Sequence, residues 1–442
     1  MKLTQRIISL LLAVAMIFSI WGCGNPANET TTESTATETT TPTDTTEEAP
    51  SSPFTAGTYE ASAFGFYPGL PVNVRVTVSD TTMESIEIFG DNMESPLMLR
   101  AVQELLIPRM IEHQTSFVDV VAGATMTSAA VRMAVTDCLE QAITDSALLD
   151  NFSDFPEYAV NDTAKLLETD ILIVGLGGSG ITAALSAAEN GANVLAIDKA
   201  GKYGGTTCIT SEMMAVNPEK FMTENNVTKD YVNEDEFLTD WLTRTHNDGK
   251  EEIIEMFIDQ SGNTLDWLMY DHEWPFASPL PGHADYATYP VRFMYTPNEH
   301  YGNKEEIASY LDRLMKDYTE AGGEYLLEVE GYELMYDVAS NTVTGVKAVG
   351  YDGQEYEIQA KAVVLATGGY GKNETMMEEY MTDEYFPLSG DWYMYGMTTN
   401  DGKLLESALN IGAGTYNPSI PPLSHLAGFP INLTGFETTV VE

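Results

Sequence analysis

Three glycines, Gly175, Gly177 and Gly180, stand in the run GLGGSG, directly after ILIV and before ITAALSAAEN. Between a buried strand and a helix, this spacing makes a nucleotide cradle. The first glycine turns the chain, the second lets a pyrophosphate approach the backbone, and the third lets helix and strand pack closely. The helix N-terminus offers N–H groups to the phosphates. Asp198, at the end of the next apolar run VLAID, supplies an acceptor for ribose hydroxyls. A glycine turn without a ligand is the alternative. Strand, helix and acid together favour the dinucleotide.

A second stretch, DVVAGATMTSAAVRMAV, places Thr125, Thr127 and Ser128 at the start of a helical pattern. A hydroxyl there is either an N-cap, which Thr127 or Ser128 can supply, or a handle for phosphoester chemistry. Gly123 and Ala124 leave room around Thr125. Asp119, a charged side chain, stands shortly before. The residues alone leave both readings open, because capping by Thr127 or Ser128 does not consume Thr125.

The elements that position these groups follow from periodicity. TAGTYEASAFG, LPVNVRVTVSD and MESIEIFG alternate like strands. SPLMLRAVQELLIPRMIEH reads as a helix interrupted or ended near Pro108. With the helix after AGATMTS these form a small α+β unit over 54–150. NFSDFPEYAVNDTAKLLE is a linker. The second domain begins at about 168, runs to 211, is interrupted by an irregular, aromatic-rich α+β cap over 212–300, and resumes over 301–442, with EYLLEVEGYELMYD, TVTGVKAVG and EYEIQAKAVVLATGG as strands. The fold class is therefore α/β: a small α+β domain, then a Rossmann-like domain with an inserted cap.

The chain has 442 residues, 67 acidic against 21 basic, and a formal net charge of −46. That balance argues against nucleic acid, which needs clustered Lys and Arg, and against a polybasic membrane contact. MKLTQR, IISLLLAVAMIFSI and IWGC resemble a bacterial lipoprotein signal over 1–23, with Cys23 as the lipidated residue. An uncleaved N-terminal anchor is the alternative. Either places the protein at the cell membrane, on its extracytoplasmic face. Residues 24–53 are Thr/Glu-rich with almost no large apolar side chain, and read as a disordered tether. Cys138 and Cys208 are expected to be free thiols. No CxxC is present, so the usual cysteine-rich metal and iron–sulfur patterns are excluded and no metal is expected.

GLGGSG with Asp198, then KAGKYGGTT, AVVLATGGYGKN and TTNDGKLLESALNIGAG, resembles the FAD flavoproteins of the fumarate reductase and succinate dehydrogenase family. The resemblance implies FAD contacts at Gly204, Gly205, Thr206 and Thr207, at Thr367, Gly368 and Gly369, and at Asp401. Ser211–Met214, where many relatives have glycines, departs from the pattern. The first domain, GTYEA…VNVRVTV…ESIEI…VAGATMTS, resembles the FMN-binding domain that accompanies such reductases. There a flavin transferase joins FMN to a threonine, which corresponds to Thr125; Thr127 is the fallback, and Ala122 stands where a hydroxyl residue is usual.

These resemblances imply an extracytoplasmic reductase passing electrons from a membrane donor through covalent FMN and FAD to the C=C bond of a small unsaturated acid, fumarate- or urocanate-like. A non-catalytic flavin electron carrier and a ketosteroid-type flavin dehydrogenase are the alternatives. His425 corresponds by spacing to a substrate-binding histidine. His283 and His300 have no motif behind them, and Arg292 is a lesser candidate for substrate or phosphate contact. The resemblance also implies an arginine proton donor beyond ATGGYGKN. The last arginine is Arg313, and the chain is expected to be an N-terminal portion of a longer reductase.

Overall fold

The computed structural model describes residues 52–416 apart from 68, 153, 157–162, 282–287, 296–303 and 381–398. The calls on Cys23, the tether, His283, His300 and His425 lie outside the described residues.

The first domain opens with an antiparallel sheet of β1 (Gly57–Ala63), β2 (Val72–Val78) and β3 (Met83–Phe89), in that order. β2, VNVRVTV, alternates without a fault: its four valines are buried and the residues between them half-buried. One face of the sheet thus meets the core and the other meets water. Helices α1 (Pro96–Ala101) and α2 (Ile107–His113) are joined by a π-turn, Val102–Leu106. The expected interruption near Pro108 is this π-turn. A proline lacks the N–H for an i→i−4 bond, and one wider turn upstream absorbs the defect while the helix continues. The helix stops at Gln114, which is left-handed (φ 54°). Its side chain accepts from the Met83 amide at 2.7 Å and donates to the carbonyls of Met83 and Ile111. Helix α3 (Thr125–Ala142) lays nine buried residues on the sheet.

The second domain is a six-stranded sheet of order β8-β5-β4-β11-β10-β9. β4 (Lys165–Val174) and β5 (Val194–Asp198) are joined by α4 (Gly178–Glu189). The helix ends at Asn190, followed by Gly191 at φ 82°. KLLE, read as linker, belongs to β4, because Lys165–Glu168 pair in parallel with Tyr356–Gln359.

The cap begins with β6 (Glu212–Met214). It continues through α5 (Glu219–Glu224), α6 (Glu234–Arg244) and α7 (Glu251–Tyr270), and returns to β7 (Arg292–Met294), which pairs with β6. Its own small core contains Val216, Val232, Phe237, Ile254, Ile258 and Val291. Helix α8 (Lys304–Glu320) leads back to the sheet, where β8 (Glu324–Leu327) runs parallel to β5. β9 (Val329–Asp337), β10 (Thr342–Gly350) and β11 (Glu355–Leu365) form an antiparallel meander that delivers β11 beside β4. EYLLEVEGYELMYD is therefore two strands, broken at Glu328, whose φ is 57°. α9 (Glu374–Tyr380) and α10 (Lys403–Asn410) follow.

Candidate functional site

The C-terminal ends of β4, β5 and β11 open onto a cleft of about 440 Å³. This is where the strand ends of an α/β sheet present loops and a helix N-terminus to a ligand. Gly175 turns the chain at φ 98°, and a Cβ there would stand 2.4 Å from the Ala366 carbonyl oxygen. Gly177 is the N-cap of α4 and lines the cleft. Gly180 does not line it; a Cβ on Gly180 would fall 1.8 Å from the Gly175 carbonyl oxygen, so this glycine serves the packing of helix on turn.

Asp198 lines the cleft with its carboxylate already engaged. One oxygen accepts the Leu176 amide at 2.6 Å and the other the Ala200 amide at 2.7 Å. Burial pushes its carboxyl pKa up, against the pull of these two amides and Lys199. Asp198 thus braces the glycine turn, and each oxygen keeps a lone pair for a ribose hydroxyl.

Gly204 (φ 113°) donates to the Leu176 carbonyl at 2.7 Å and bridges Gly177, while Gly205, Thr206 and Thr207 line the cleft. The Thr207 hydroxyl accepts the Gly178 amide at 3.2 Å, so one of the helix-start N–H groups is already taken. Thr367 and Gly368 line the cleft opposite; Gly369 lies outside the lining, with nothing within 4 Å of its Cβ position.

Asp401 faces Lys199 at 2.9 Å and Lys403 at 3.9 Å. Burial opposes its ionisation, but the two lysines outweigh it and hold the carboxyl below its ordinary value. Glu330 ion-pairs with both lysines, at 3.5 Å from Lys199 and 2.7 Å from Lys403.

Lys199, Val329, Gly331 and Asn400 also line the cleft and were not read from the sequence. Gly331 was findable, as an isolated glycine inside a strand pattern that marks close approach. A Cβ there would stand 3.1 Å from Val174, Val346 and Leu404. Lys199 carried no signal beyond following Asp198.

The cleft fits the diphosphate of a dinucleotide: its floor is glycine backbone at a helix start, with ribose acceptors at its rim. FAD, when bound, supplies the isoalloxazine that exchanges a hydride. The residues named here hold its nucleotide end.

In the first domain Thr125 is the first residue of α3 and half-buried. Asp119 is exposed. Thr127 is 2% exposed, and its hydroxyl donates to the buried Glu94 carboxylate, which also accepts the amides of Phe66 at 2.9 Å and Tyr67 at 3.3 Å. The Ser128 hydroxyl accepts the Val121 amide at 3.2 Å. The alternative in which Thr127 or Ser128 caps the helix is not what forms: the N-cap is Ala124, with no side-chain bond, while the Thr127 hydroxyl serves Glu94 and the Ser128 hydroxyl the loop before the helix. Glu94, 33 residues away, had no signature in the sequence.

The Ala122 carbonyl of the same loop accepts the Gly201 amide at 3.0 Å, and Ala200, beside it, lines the cleft. Arg292 is half-buried and engaged within the protein. Glu212 accepts from it at 2.9 and 2.5 Å, and the Pro281 carbonyl at 2.8 Å, at the root of the cap. Ser211–Met214, the departure from the family pattern, is this same root: β6 pairs with β7, and the Ser211 carbonyl accepts the Tyr295 amide.

Residues 170–430 match the sequence family described as FAD binding domain, and residues 68–140 that described as FMN-binding domain. Urocanate reductase of Eggerthella lenta is 30% identical over 283 residues, 63% of this chain and 44% of the relative. NADH:fumarate oxidoreductase of Klebsiella pneumoniae is 25% identical over 344 residues, 77% of this chain and 34% of the relative. Among solved structures, the open conformation of a flavocytochrome c3 fumarate reductase superposes with a TM-score of 0.47 at 28% identity, over 56% of this chain and 41% of that one. The chain spans less than half the length of each. With its glycine-floored cleft inside a match that covers more than half of its residues, the chain belongs to the FAD binding domain family and carries an FMN-binding domain ahead of the FAD-binding one.

Proposed function

We propose that this chain carries the two flavin modules of an extracytoplasmic reductase, anchored by lipid on Cys23 and tethered through residues 24–53. Electrons enter from a membrane donor at an FMN on Thr125, pass to FAD, and reduce the C=C bond of a small unsaturated acid of the fumarate or urocanate type. The observation that carries this reading is the hydrogen bond from Gly201 to Ala122, which seats the AGAT loop against the lip of the FAD cleft. Two flavins held on adjoining loops of one chain suit electron transfer between them.

Thr125 is the acceptor rather than Thr127, because the Thr127 hydroxyl is buried and spent on Glu94. A flavin transferase passes the FMN phosphoryl group from a flavin dinucleotide donor to the Thr125 oxygen: the new P–O bond forms as the donor's diphosphate bond breaks, AMP leaves, and the hydroxyl proton goes to solvent. The first amides of α3 then lie beside the phosphate. At the cleft the Gly175–Gly180 turn and α4 hold the pyrophosphate, and Asp198 orients ribose. His425 is assigned to the substrate carboxylate.

The test is co-expression with a flavin transferase, proteolysis and peptide mass measurement. A Thr125 peptide heavier by one FMN phosphoester is expected. An unmodified Thr125 peptide, with a control substrate modified in the same cells, overturns the assignment.

A further inference from the structure

The boundary between the two flavin modules is built like an interior. Arg109, from α2 of the FMN module, ion-pairs with Glu328 of the FAD module, and the side chains are only 7% and 8% exposed. The guanidinium lies over the Tyr351 ring, 3.9 Å from its centroid. Glu328 is the left-handed residue at the break between β8 and β9. Its amide donates to the Ala200 carbonyl and its carbonyl accepts the Tyr351 amide, both at 3.0 Å. One residue thus ties the cleft lip, a hairpin turn and the FMN module together.

Further contacts converge on the same seam. Arg100 meets Asp312 at 2.7 Å, and Asp312 also accepts the Tyr203 hydroxyl at 2.6 Å. Lys202 meets Glu104 at 3.1 Å. Gly201 is needed for the close approach, since a Cβ there would stand 2.2 Å from the Val121 side chain.

Domains joined in one chain move against each other by default unless their interface is large and hydrophobic, and here one cluster of buried apolar side chains runs from Leu97 and Val121 to Tyr203 and Leu311. Burying a charge pair costs desolvation energy that an apolar pair would not, and its best-attested return is a fixed register. Removing either partner leaves the other charge buried and unpaired. A module that swings between an electron donor and an acceptor has no use for a fixed register, whereas a buried ion pair at the seam supplies one.

We propose that the FMN module is locked on the FAD module by the Arg109–Glu328 pair, so that electrons cross between the flavins in one fixed geometry rather than by movement of the module. The lock stands on the seam alone; its electron-transfer consequence rests on the functional reading above.

Spin labels test the lock without any flavin. In a Cys23→Ser background, Met133→Cys on α3 (60% exposed) and Val338→Cys in the β9–β10 turn (81% exposed) label the two modules. Cys138 and Cys208 are buried, and burial pushes the Cys138 thiol up to about 11, so neither competes. A single narrow distance is expected in the parent. The distance should broaden in Arg109→Leu, in Glu328→Gln and, by a wedge that leaves both charged side chains in place, in Gly201→Ala. It should narrow again in the charge swap Arg109→Glu with Glu328→Arg. A broad parent distribution overturns the lock, whatever Thr125 carries.

In the flavin-loaded chain, stopped-flow transfer from FMN to FAD should slow several-fold in Arg109→Leu and recover in the swap, while reduction of FMN itself is unchanged. Unaltered transfer in variants whose distance has broadened overturns the fixed-geometry proposal. Absence of FMN on Thr125 sinks the functional reading and leaves the distance result standing.

Discussion

The FAD cleft and the FMN handle proposed at the start of α3 are made of different materials. At the cleft the decisive atoms are missing ones. Gly175 and Gly180 give up Cβ atoms that would lie 2.4 and 1.8 Å from carbonyl oxygens, and Gly177, Gly178 and Gly368 complete a lining of backbone. At α3 the proposed handle is one hydroxyl, on Thr125, left half-buried while its neighbours Thr127 and Ser128 are drawn into the core. A site shaped by backbone tolerates no added atom but holds its ligand only by non-covalent contacts. A site defined by a hydroxyl tolerates reshaping as long as the oxygen remains.

The sharpest way to break this contrast is at Thr125. Thr125→Ala should abolish covalent FMN completely and leave FAD content unchanged, whereas Thr125→Ser should keep attachment, as read by peptide mass and flavin released after denaturation. FMN still attached in the alanine variant would move the handle elsewhere.

The reciprocal change is Gly180→Ala. It overpacks the glycine turn at a cost of about 1–3 kcal/mol, or roughly 5- to 150-fold in FAD affinity if the strain falls on the bound state. FMN attachment should be untouched. Titration of the flavin-free protein with FAD measures it, and an unchanged affinity would mean that the turn relaxes freely.

A smaller effect separates Thr127 from Thr125. Thr127→Val removes the hydroxyl that donates to buried Glu94 and should cost about 1–3 kcal/mol of stability, seen as a lower Tm, with FMN still on Thr125. Loss of FMN with no loss of stability would reverse the two roles.

The smallest effect is one of pH. The Asp401 carboxyl is held below its ordinary value, so its contribution is present above the unfolded value of about 4 and is lost as pH falls through the folded one. The Tm gap between the parent and Asp401→Asn should stay level from about pH 8 to 5 and close below about 4. Asp198 has the opposite sign. Burial raises its folded value, so its contribution is favourable at low pH and is lost as pH rises through that value. A gap at Asp401 that widens on acidification would reverse its assigned pairing with Lys199 and Lys403.

Much of this was legible in the chain. Alternation in VNVRVTV gives a half-buried strand because successive side chains face opposite sides. GLGGSG after ILIV gives strand, turn and helix because no other residue has the space that Gly180 needs. What escaped were contacts between groups far apart in sequence. Glu94 reaches Thr127, Arg292 pairs with Glu212, and KLLE becomes strand only because β11 lies beside it.

The sequence by itself determined the local elements and the glycine turn with its nucleotide motif, since each depends on residues within a few positions of one another and on backbone sterics alone. Only the tertiary structure decided which hydroxyl of AGATMTS stays available and which is consumed. It alone broke one apparent strand at Glu328, and it alone closed the seam between the modules over Arg109. A hydroxyl's fate and a buried charge's partner depend on which distant group the fold brings within hydrogen-bond reach, and no spacing along the chain encodes that distance.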